Sequence, residues 1–166
     1  HVIGNDTTVT DYCGNVIYEN GVPSTLLTQY GYISLSDNKY HYFLQDHQGN
    51  TRVVVDEDGK VEEVNDYYPF GGLMASSSGD VQPYKYNGKE LDRKGGLDWY
   101  DYGARWYDAA LGRWHVVDPL AEEYSSETLY GYCGNNPINC IDPFGMAYWS
   151  TSDPSEISRF MSALRF

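Results

Sequence analysis

The sequence has little of what marks a membrane protein, a nucleic-acid-binding protein or a metalloprotein. No apolar run approaches the roughly 20 residues that a membrane-spanning helix needs. Lys and Arg number 11 against 24 Asp and Glu, and the net charge of −13 disfavours binding to phosphate backbones and insertion at anionic membrane surfaces. The three cysteines form no CxxC pair, so a zinc site is not expected. We predict no cofactor.

Residues that favour helices are also scarce. Leu, Ala, Lys and Arg are sparse, whereas Tyr, Thr, Val, Gly and Asn are plentiful, and this composition predicts a mainly β chain of short strands. The 17 tyrosines suit a sheet with one partly solvated side, because a Tyr ring packs on the pleat while its hydroxyl stays in water. The chain begins at His1 rather than Met, and we expect it to be a piece of a longer protein.

Turn signals recur along the first half of the chain and predict an antiparallel meander of hairpins. Asn20-Gly21 and Asp58-Gly59 are pairs that supply the positive φ values of tight hairpin turns. The runs between such turns have strand composition. The predicted strands are Val16–Glu19, Thr25–Ser34, Tyr40–Leu44, Thr51–Val55 and Lys60–Tyr68.

Two short motifs leave alternatives open. Cys133 and Cys140 flank a turn, where they would either form a disulfide bridge or remain two buried thiols. The acidic run 56–59 resembles the start of a calcium loop, but Lys60 stands where the next acidic ligand is needed, so a hairpin turn is favoured. In the tail, Asp153 and the residues after it resemble a capping box, which predicts a short amphipathic helix over about residues 154–165.

The segment from Leu97 to Gly145 is the most informative part of the chain. Aromatic residues surround Arg105, and we expect its guanidinium to stack on one of their rings and to point at a carboxylate. The rings are those of Tyr100, Tyr102, Trp106 and Tyr107. A short strand, His115–Val117, is predicted to end at Asp118.

Two Asp-Pro pairs stand in this segment, Asp118-Pro119 and Asp142-Pro143. The plain interpretation is that each Asp opens a turn by accepting hydrogen bonds from nearby backbone N–H groups. The alternative is a catalytic dyad: two adjacent carboxylates cannot both ionise easily, so they share a proton and can act as base and acid.

Several blocks of the chain, in order, resemble the RHS repeat-associated core of RHS and YD-repeat proteins of the polymorphic-toxin type, in a Bacteroidetes-like version. Asp11–Gly21 and Tyr40–Met74 are similar to YD repeats. The core signature is matched by PYKYNGKELDRKGGLDWYDYGARWYDAALGRWHVVDPLAEEY (Pro83–Tyr124) and by YGYCGNNPINCIDPFGM (Tyr130–Met146).

The resemblance implies a fold and a division of the chain. Members of the family wind YD repeats into a spiral β-sheet shell, the core block forms a plug at one end, and the C-terminal polypeptide, often a toxin, is enclosed. We therefore expect hairpins of a YD-repeat shell over residues 1–82, a plug over 83–146, and the start of a variable C-terminal region with a short helix over 147–166.

The resemblance also implies a self-cleavage site. RHS cores carry paired DPxG motifs and cleave their own chain, as aspartyl proteases, just after the second motif. Carried onto this chain, the catalytic residues are Asp118 and Asp142 with Arg105, and the scissile bond is Met146–Ala147. Two positions depart from the family pattern: Ala121 replaces the Gly of the first motif, and Trp106 stands where some members have a functional Asp.

Partners and location follow from the same resemblance. The expected partners are the rest of the shell, the C-terminal effector and an immunity protein for that effector, in a secreted or cell-surface bacterial protein. Two other functions stay open at this point. One is a non-catalytic scaffold of a secreted or surface protein, and the other is a carbohydrate-binding β-domain that uses exposed Tyr and Trp side chains.

Overall fold

The computed structural model describes residues 2–3, 6–122, 128–150, 153, 155–156, 159 and 163. Apart from helical residues of the tail and three short 3-10 turns (Tyr86–Gly88, Lys94–Gly96 and Cys133–Asn135), the regular structure of these residues is antiparallel β-sheet. The prediction of a mainly β chain is confirmed. Strands β1 (Val2–Ile3) and β2 (Asp6–Thr7) form a short hairpin of their own.

A seven-stranded meander makes up the first half of the chain, and each strand pairs with the next. Its turns include those that the sequence indicates: Asn20 and Gly21 both have positive φ, 52° and 78°, as a two-residue hairpin turn requires. The strands are β3 (Thr10–Cys13), β4 (Val16–Glu19), β5 (Val22–Thr28), β6 (Gly31–Ser34), β7 (Lys39–Gln45), β8 (Thr51–Asp56) and β9 (Val61–Val64).

Two predicted strands of this sheet have the wrong extent. The run Thr25–Ser34 is two strands, because the chain turns after Thr28 and Leu27 pairs with Tyr32 across the turn. Gly31 permits the turn back, since a Cβ there would lie 1.9 Å from the carbonyl oxygen of His41 on β7. The run Lys60–Tyr68 is shorter than predicted, and β9 ends at Val64.

A four-stranded sheet follows and contributes to a buried aromatic core. Its strands are β10 (Glu90–Asp92), β11 (Trp99–Asp101), β12 (Trp106–Asp108) and β13 (Arg113–Trp114). The predicted strand His115–Val117 is wrong: pairing with β12 ends at Trp114, whose ring is buried, whereas Val116 and Val117 are exposed. The core cluster consists of Tyr86, Leu91, Tyr100, Tyr102, Tyr107, Trp114, Tyr132, Cys133 and Cys140.

Tyr40 and Tyr42 on the meander are exposed, as the composition predicts, whereas the five tyrosines of this core depart from the expectation of solvated hydroxyls. Their rings are fully buried, and each hydroxyl finds a protein partner instead of water. The hydroxyls of Tyr102 and Tyr132 both donate to Asn87 Oδ1, at 2.7 and 2.8 Å. The Tyr107 hydroxyl donates to the carbonyl of Phe70 at 2.8 Å. Polar acceptors inside the core therefore allow tyrosine to replace aliphatic residues there.

The remaining predictions for this part of the chain have mixed outcomes. Cys133 and Cys140 are buried thiols that form no disulfide with each other. Strand β14 (Cys140–Ile141) pairs with β15 (Trp149–Ser150), which lies in the predicted variable region.

Asp153 accepts a hydrogen bond from the backbone N–H of Ser155 at 2.8 Å, as in a cap, but most of the predicted helix 154–165 lies outside the described residues. The boundaries after residues 82 and 146 stay predictions.

A buried ion pair joins the seven-stranded meander to the segment that precedes β10. Glu63 on β9 and Lys85, just before the first 3-10 turn, are both fully buried, with Oε1 and Nζ 2.6 Å apart. Further donors satisfy the carboxylate: the side chain of Gln82 at 3.1 Å and the backbone N–H of Val81 at 2.8 Å. Such a pair tolerates burial only while both charges and their hydrogen bonds are present.

The Lys85→Met variant tests this link. Removing the ammonium leaves the Glu63 carboxylate buried without a counter-charge, so we expect the free energy of unfolding to fall by about 3–5 kcal/mol, as measured by urea denaturation. The matched control is Lys94→Met at an exposed lysine, which is expected to change stability by no more than about 0.5 kcal/mol. Equal stability of the two variants would contradict the role of the pair.

Candidate functional site

The second Asp-Pro pair forms a tight turn directly after β14. Asp142 is buried, and its Oδ1 accepts the backbone N–H groups of Phe144, Gly145 and Met146 at 3.2, 2.7 and 3.2 Å. Gly145 has a φ of 72° and packs close to Tyr102, so a side chain at this position would be strained and crowded. Asp142 therefore opens a turn, as the plain interpretation predicts, and its second oxygen remains for other contacts.

The first Asp-Pro pair forms a similar but more open turn. Asp118 Oδ1 accepts the backbone N–H of Leu120 at 2.8 Å, and the Asp118 carbonyl accepts the N–H of Ala121 at 3.1 Å. Ala121, which replaces a family Gly, is not among the described residues with positive φ. The turn in this chain therefore does not require glycine at that position.

Arg105 brings the two turns together. Its Nη2 lies 2.8 Å from Asp118 Oδ2 and 3.6 Å from Asp142 Oδ2, and its Nε donates to the carbonyl oxygen of Gly145 at 2.5 Å. The guanidinium carbon lies 4.3 Å from the centre of the Trp114 ring. Arg105 thus stacks on a ring and faces carboxylates as predicted. The ring is that of Trp114, however, which is not one of the four aromatic residues predicted.

The position of Trp106 explains why the second departure leaves this arrangement intact. Arg105 is 3% exposed and Trp106 is 40% exposed, so the two neighbouring side chains leave the backbone in opposite directions. Trp106 is also not among the residues that line the cavity at Arg105, Asp118 and Asp142. The site is built without it.

The electrostatics of the site differ from those of a carboxylate pair joined by a direct hydrogen bond. Both Oδ2 atoms lie within reach of one guanidinium nitrogen, so a cation stands between them. Burial raises the pKa of the Asp142 carboxyl, and the three N–H groups and Arg105 oppose this only in part. Burial also lowers the pKa of Arg105, while Asp118 and Asp142 favour its charged form.

A small cavity lies against these side chains and the predicted scissile bond. Its volume is about 20 Å³, enough for one water molecule. Its lining includes Arg105, Asp118, Asp142, Met146 and Ala147. Arg105 Nη1 is buried with no hydrogen-bond partner in the described part of the chain. The arrangement combines two carboxylates, a spare cationic donor and room for water next to one peptide bond.

One contact of the Asp142 turn has no signal in the sequence. The Nζ of Lys89 donates to the carbonyl oxygen of Pro143 at 2.6 Å, across 54 positions of the chain. A larger cavity of about 350 Å³ lies on this side of the turn, between it and strands β5 to β7. A lone lysine in a polar segment gives no indication of such a partner, because its reach depends on how distant segments pack.

The comparison with protein-family models decides the affiliation of the chain. The teneurin YD-shell model matches residues 30–138, which is more than half of the sequence. The chain belongs to the teneurin YD-shell family. The YD-shell match includes Arg105 and Asp118 and ends just before Asp142.

Relatives of this YD-shell chain include toxin subunits and a surface protein. It is 40% identical over 112 residues to salivary gland surface protein 1 of Aedes aegypti, covering 66% of this chain and 3% of that protein. Toxin subunit YenC2 of Yersinia entomophaga is 40% identical over 112 residues, covering 63% and 11%. Double-stranded DNA deaminase toxin A of Burkholderia cenocepacia is 30% identical over 122 residues, covering 70% and 8%. The chain spans about a tenth or less of their length.

Solved structures share the fold. The TcdB2-TccC3-TEV structure matches with a TM-score of 0.69 at 22% identity, covering 84% of this chain and 8% of that one. The Tc holotoxin pore of Photorhabdus luminescens matches with a TM-score of 0.66 at 23% identity, covering 88% and 8%. These findings agree with the RHS-type resemblance of the sequence, whereas the Bacteroidetes-like version stays a prediction.

Two kinds of feature are absent from the described part of this YD-shell segment. Among the residues described, no helix is long and apolar enough to cross a membrane. The same residues contain no group of three or more His, Cys, Asp and Glu side chains that could hold a metal ion.

The raised pKa of Asp142 predicts a pH dependence of folding. A carboxyl that holds its proton more tightly when folded stabilises the fold fully below its unfolded pKa of about 3.9, and this contribution is lost as the pH rises through the folded value. The Asp142→Asn variant does not titrate there. We expect the unfolding free energy of the parent, relative to this variant, to fall as the pH rises above about 4.

Urea denaturation of parent and variant across this pH range measures the difference directly. A difference that stays constant or grows with pH would contradict the conclusion that burial is the main influence on the pKa of Asp142.

Proposed function

We propose that this segment closes one end of a YD-shell around the polypeptide that follows it, and that it cuts its own chain between Met146 and Ala147. The observation that carries the proposal is Arg105, which contacts Asp118 and Asp142 through a single nitrogen next to that peptide bond. A turn residue alone has no need for a buried cation shared with a second Asp-Pro turn. The shared cation therefore supports a reactive pair rather than two separate turn openers.

The reaction is a hydrolysis with one water molecule. Asp118, which contacts Arg105, takes a proton from water as the water oxygen bonds to the carbonyl carbon of Met146. Asp142, whose pKa is raised by burial, gives its proton to the nitrogen of Ala147. The C–N bond breaks, leaving a carboxylic acid on Met146 and an amine on Ala147. One proton is held by the pair before and after.

Arg105 supplies the electrostatic part of this mechanism. Its buried Nη1 has no partner in the described part of the chain, and we assign it to the oxygen that becomes negatively charged when water adds to the Met146 carbonyl. Its Nε already holds the carbonyl of Gly145, the residue before Met146. A donor that is in place before the reaction needs no reorganisation during it.

The proposed partners follow from the relatives. Two of them are named as a toxin subunit and a DNA deaminase toxin, so the enclosed polypeptide is proposed to be a toxin-like effector that continues beyond Phe166. The rest of the shell is the other partner, and an immunity protein would protect the producing cell from the effector. The proposed location is outside the cell or at its surface.

The test is a chain extended beyond Phe166 by a folded reporter, examined by intact mass. We expect a fragment that ends at Met146. The Asp118→Asn and Asp142→Asn variants each lose a proton-transfer group, and the cleavage rate should fall by at least about 100-fold in both. Arg105→Lys keeps the charge but loses the paired donors, and it should also cleave more slowly.

The control is Asp56→Asn, because Asp56 also accepts backbone N–H groups in a turn but lies in a hairpin of the seven-stranded sheet. It should cleave at the parent rate. An Asp142→Asn chain that cleaves as fast as the parent would rule out the mechanism. A parent that stays intact would leave the non-catalytic shell scaffold as the function of this segment.

A further inference from the structure

In the turn that follows Asp142, two peptide units have both their carbonyl oxygen and their N–H group hydrogen-bonded to side chains. A peptide unit is rigid, so its carbonyl and the following N–H move together. In the first plane, Pro143 supplies the carbonyl and Phe144 the N–H. In the second plane, Gly145 supplies the carbonyl and Met146 the N–H. Both N–H groups donate to Asp142 Oδ1, at 3.2 Å each.

A cation holds the carbonyl end of each plane. Arg105 Nε donates to Gly145 at 2.5 Å, and Lys89 Nζ donates to Pro143 at 2.6 Å. Each plane is therefore fixed between a side-chain cation and the carboxylate of Asp142. Lys89 therefore binds the carbonyl of the first peptide unit as Arg105 binds the carbonyl of the second.

The surroundings of Lys89 favour this single position of its ammonium. Nζ lies 5.2 Å from the centre of the Tyr102 ring and 5.9 Å from that of Phe144, where a cation is attracted to both faces. Burial lowers the pKa of Lys89, and Asp142 and Asp101 oppose this by favouring its charge. The charged and titratable groups that face Asp142 in turn are Arg105, Asp118, Cys133 and Lys89.

We propose that Lys89 is a positioning residue for self-cleavage, which holds the Pro143–Phe144 peptide so that the Asp142 carboxylate keeps its orientation toward Arg105 and the scissile bond. This inference rests on the proposed function. Lys89 lines the larger cavity and not the small one that Met146 and Ala147 line, so we infer that it acts through the backbone and not on the reacting atoms.

Loss of the ammonium has a defined consequence. Without a partner for the Pro143 carbonyl, the plane is free to rotate, and the N–H of Phe144 leaves Asp142 Oδ1. Because hydrogen bonds to the ionised carboxylate lower its pKa, losing one of them raises it further. The nearby positive charge is lost as well, which acts in the same direction.

The experiment compares the parent, Lys89→Met and Lys89→Arg in the extended chain. We expect the cleavage rate of Lys89→Met to fall by about 10- to 100-fold, as for a catalytic group slightly misplaced. Its pH–rate profile should shift upward by about half a unit to one unit. Lys89→Arg keeps a cationic donor and should recover most of the rate with the profile of the parent.

Lys94→Met at an exposed lysine is the matched control and should change neither rate nor profile. A Lys89→Met chain with lower rate but an unshifted profile would show a merely structural role and overturn the inference, as would a parent-like rate. Thermal unfolding identifies variants that fail to fold, in which case Lys89→Gln replaces Lys89→Met.

A second measurement separates this inference from the proposed function. Carbon-13 NMR of the side-chain carboxyl gives the pKa of Asp142 in the intact 166-residue chain, whether or not the chain cleaves. A higher pKa in Lys89→Met than in the parent, together with faster hydrogen exchange of the Phe144 N–H, supports the hold on the turn even if no cleavage is observed, because loss of the charge alone would not free that N–H. Equal pKa values in the two chains would overturn it even if the parent cleaves.

Discussion

The guanidinium of Arg105 connects parts of the chain that are distant in sequence. It contacts the Trp114 ring, the carboxylates of Asp118 and Asp142, and the carbonyl of Gly145, which is 40 positions away. A buried cation is costly unless opposite charges and acceptors surround it. Here those groups come from both Asp-Pro turns, so the placement of the turns and the placement of the cation depend on each other.

The aromatic core gives this cation a rigid support. Trp114, on which Arg105 stacks, packs edge-on against Tyr102, Tyr107 and Tyr132. The hydroxyls of Tyr102 and Tyr132 meet at Asn87, whose backbone N–H donates to Asn50 Oδ1 at 2.8 Å, just before β8. A continuous series of contacts thus connects Asn50, next to the seven-stranded sheet, with the carboxylates that Arg105 binds. Satisfied polar groups inside an aromatic core specify one arrangement, because each alternative leaves a buried donor or acceptor unpaired.

The family affiliation explains the fold of the chain, whereas the contacts of Arg105 depend on the local geometry of the site. The YD-shell affiliation and the shared fold account for the meander and the segment packed on it. They do not by themselves account for Arg105 sharing two carboxylates. All groups proposed for the reaction belong to this short segment, and the chain beyond the scissile bond is held here too, since Ile141 pairs with Trp149. The proposed chemistry therefore needs no residue from the rest of a shell.

Local patterns determined what could be predicted from sequence. The Asn-Gly and Asp-Gly pairs mark hairpin turns because the φ values are a property of those residues, and β4 has the predicted ends Val16 and Glu19. The run Thr25–Ser34 was predicted as one strand because its turn, at Gln29 and Tyr30, lacks an Asn-Gly or Asp-Gly pair. The need for glycine at the next position is tertiary, since a Cβ at Gly31 would lie 1.9 Å from the carbonyl oxygen of His41 on β7.

The site shows the same division. The sequence by itself determined the residue types: two Asp-Pro turns, one arginine among aromatics, and a motif shared with a family. The tertiary structure decided that Arg105 stacks on Trp114, that it bridges both carboxylates, and that Lys89 holds the turn from the other side. Turn formation is encoded over a few neighbouring residues, whereas these contacts arise only when packing brings together segments that are up to 54 positions apart.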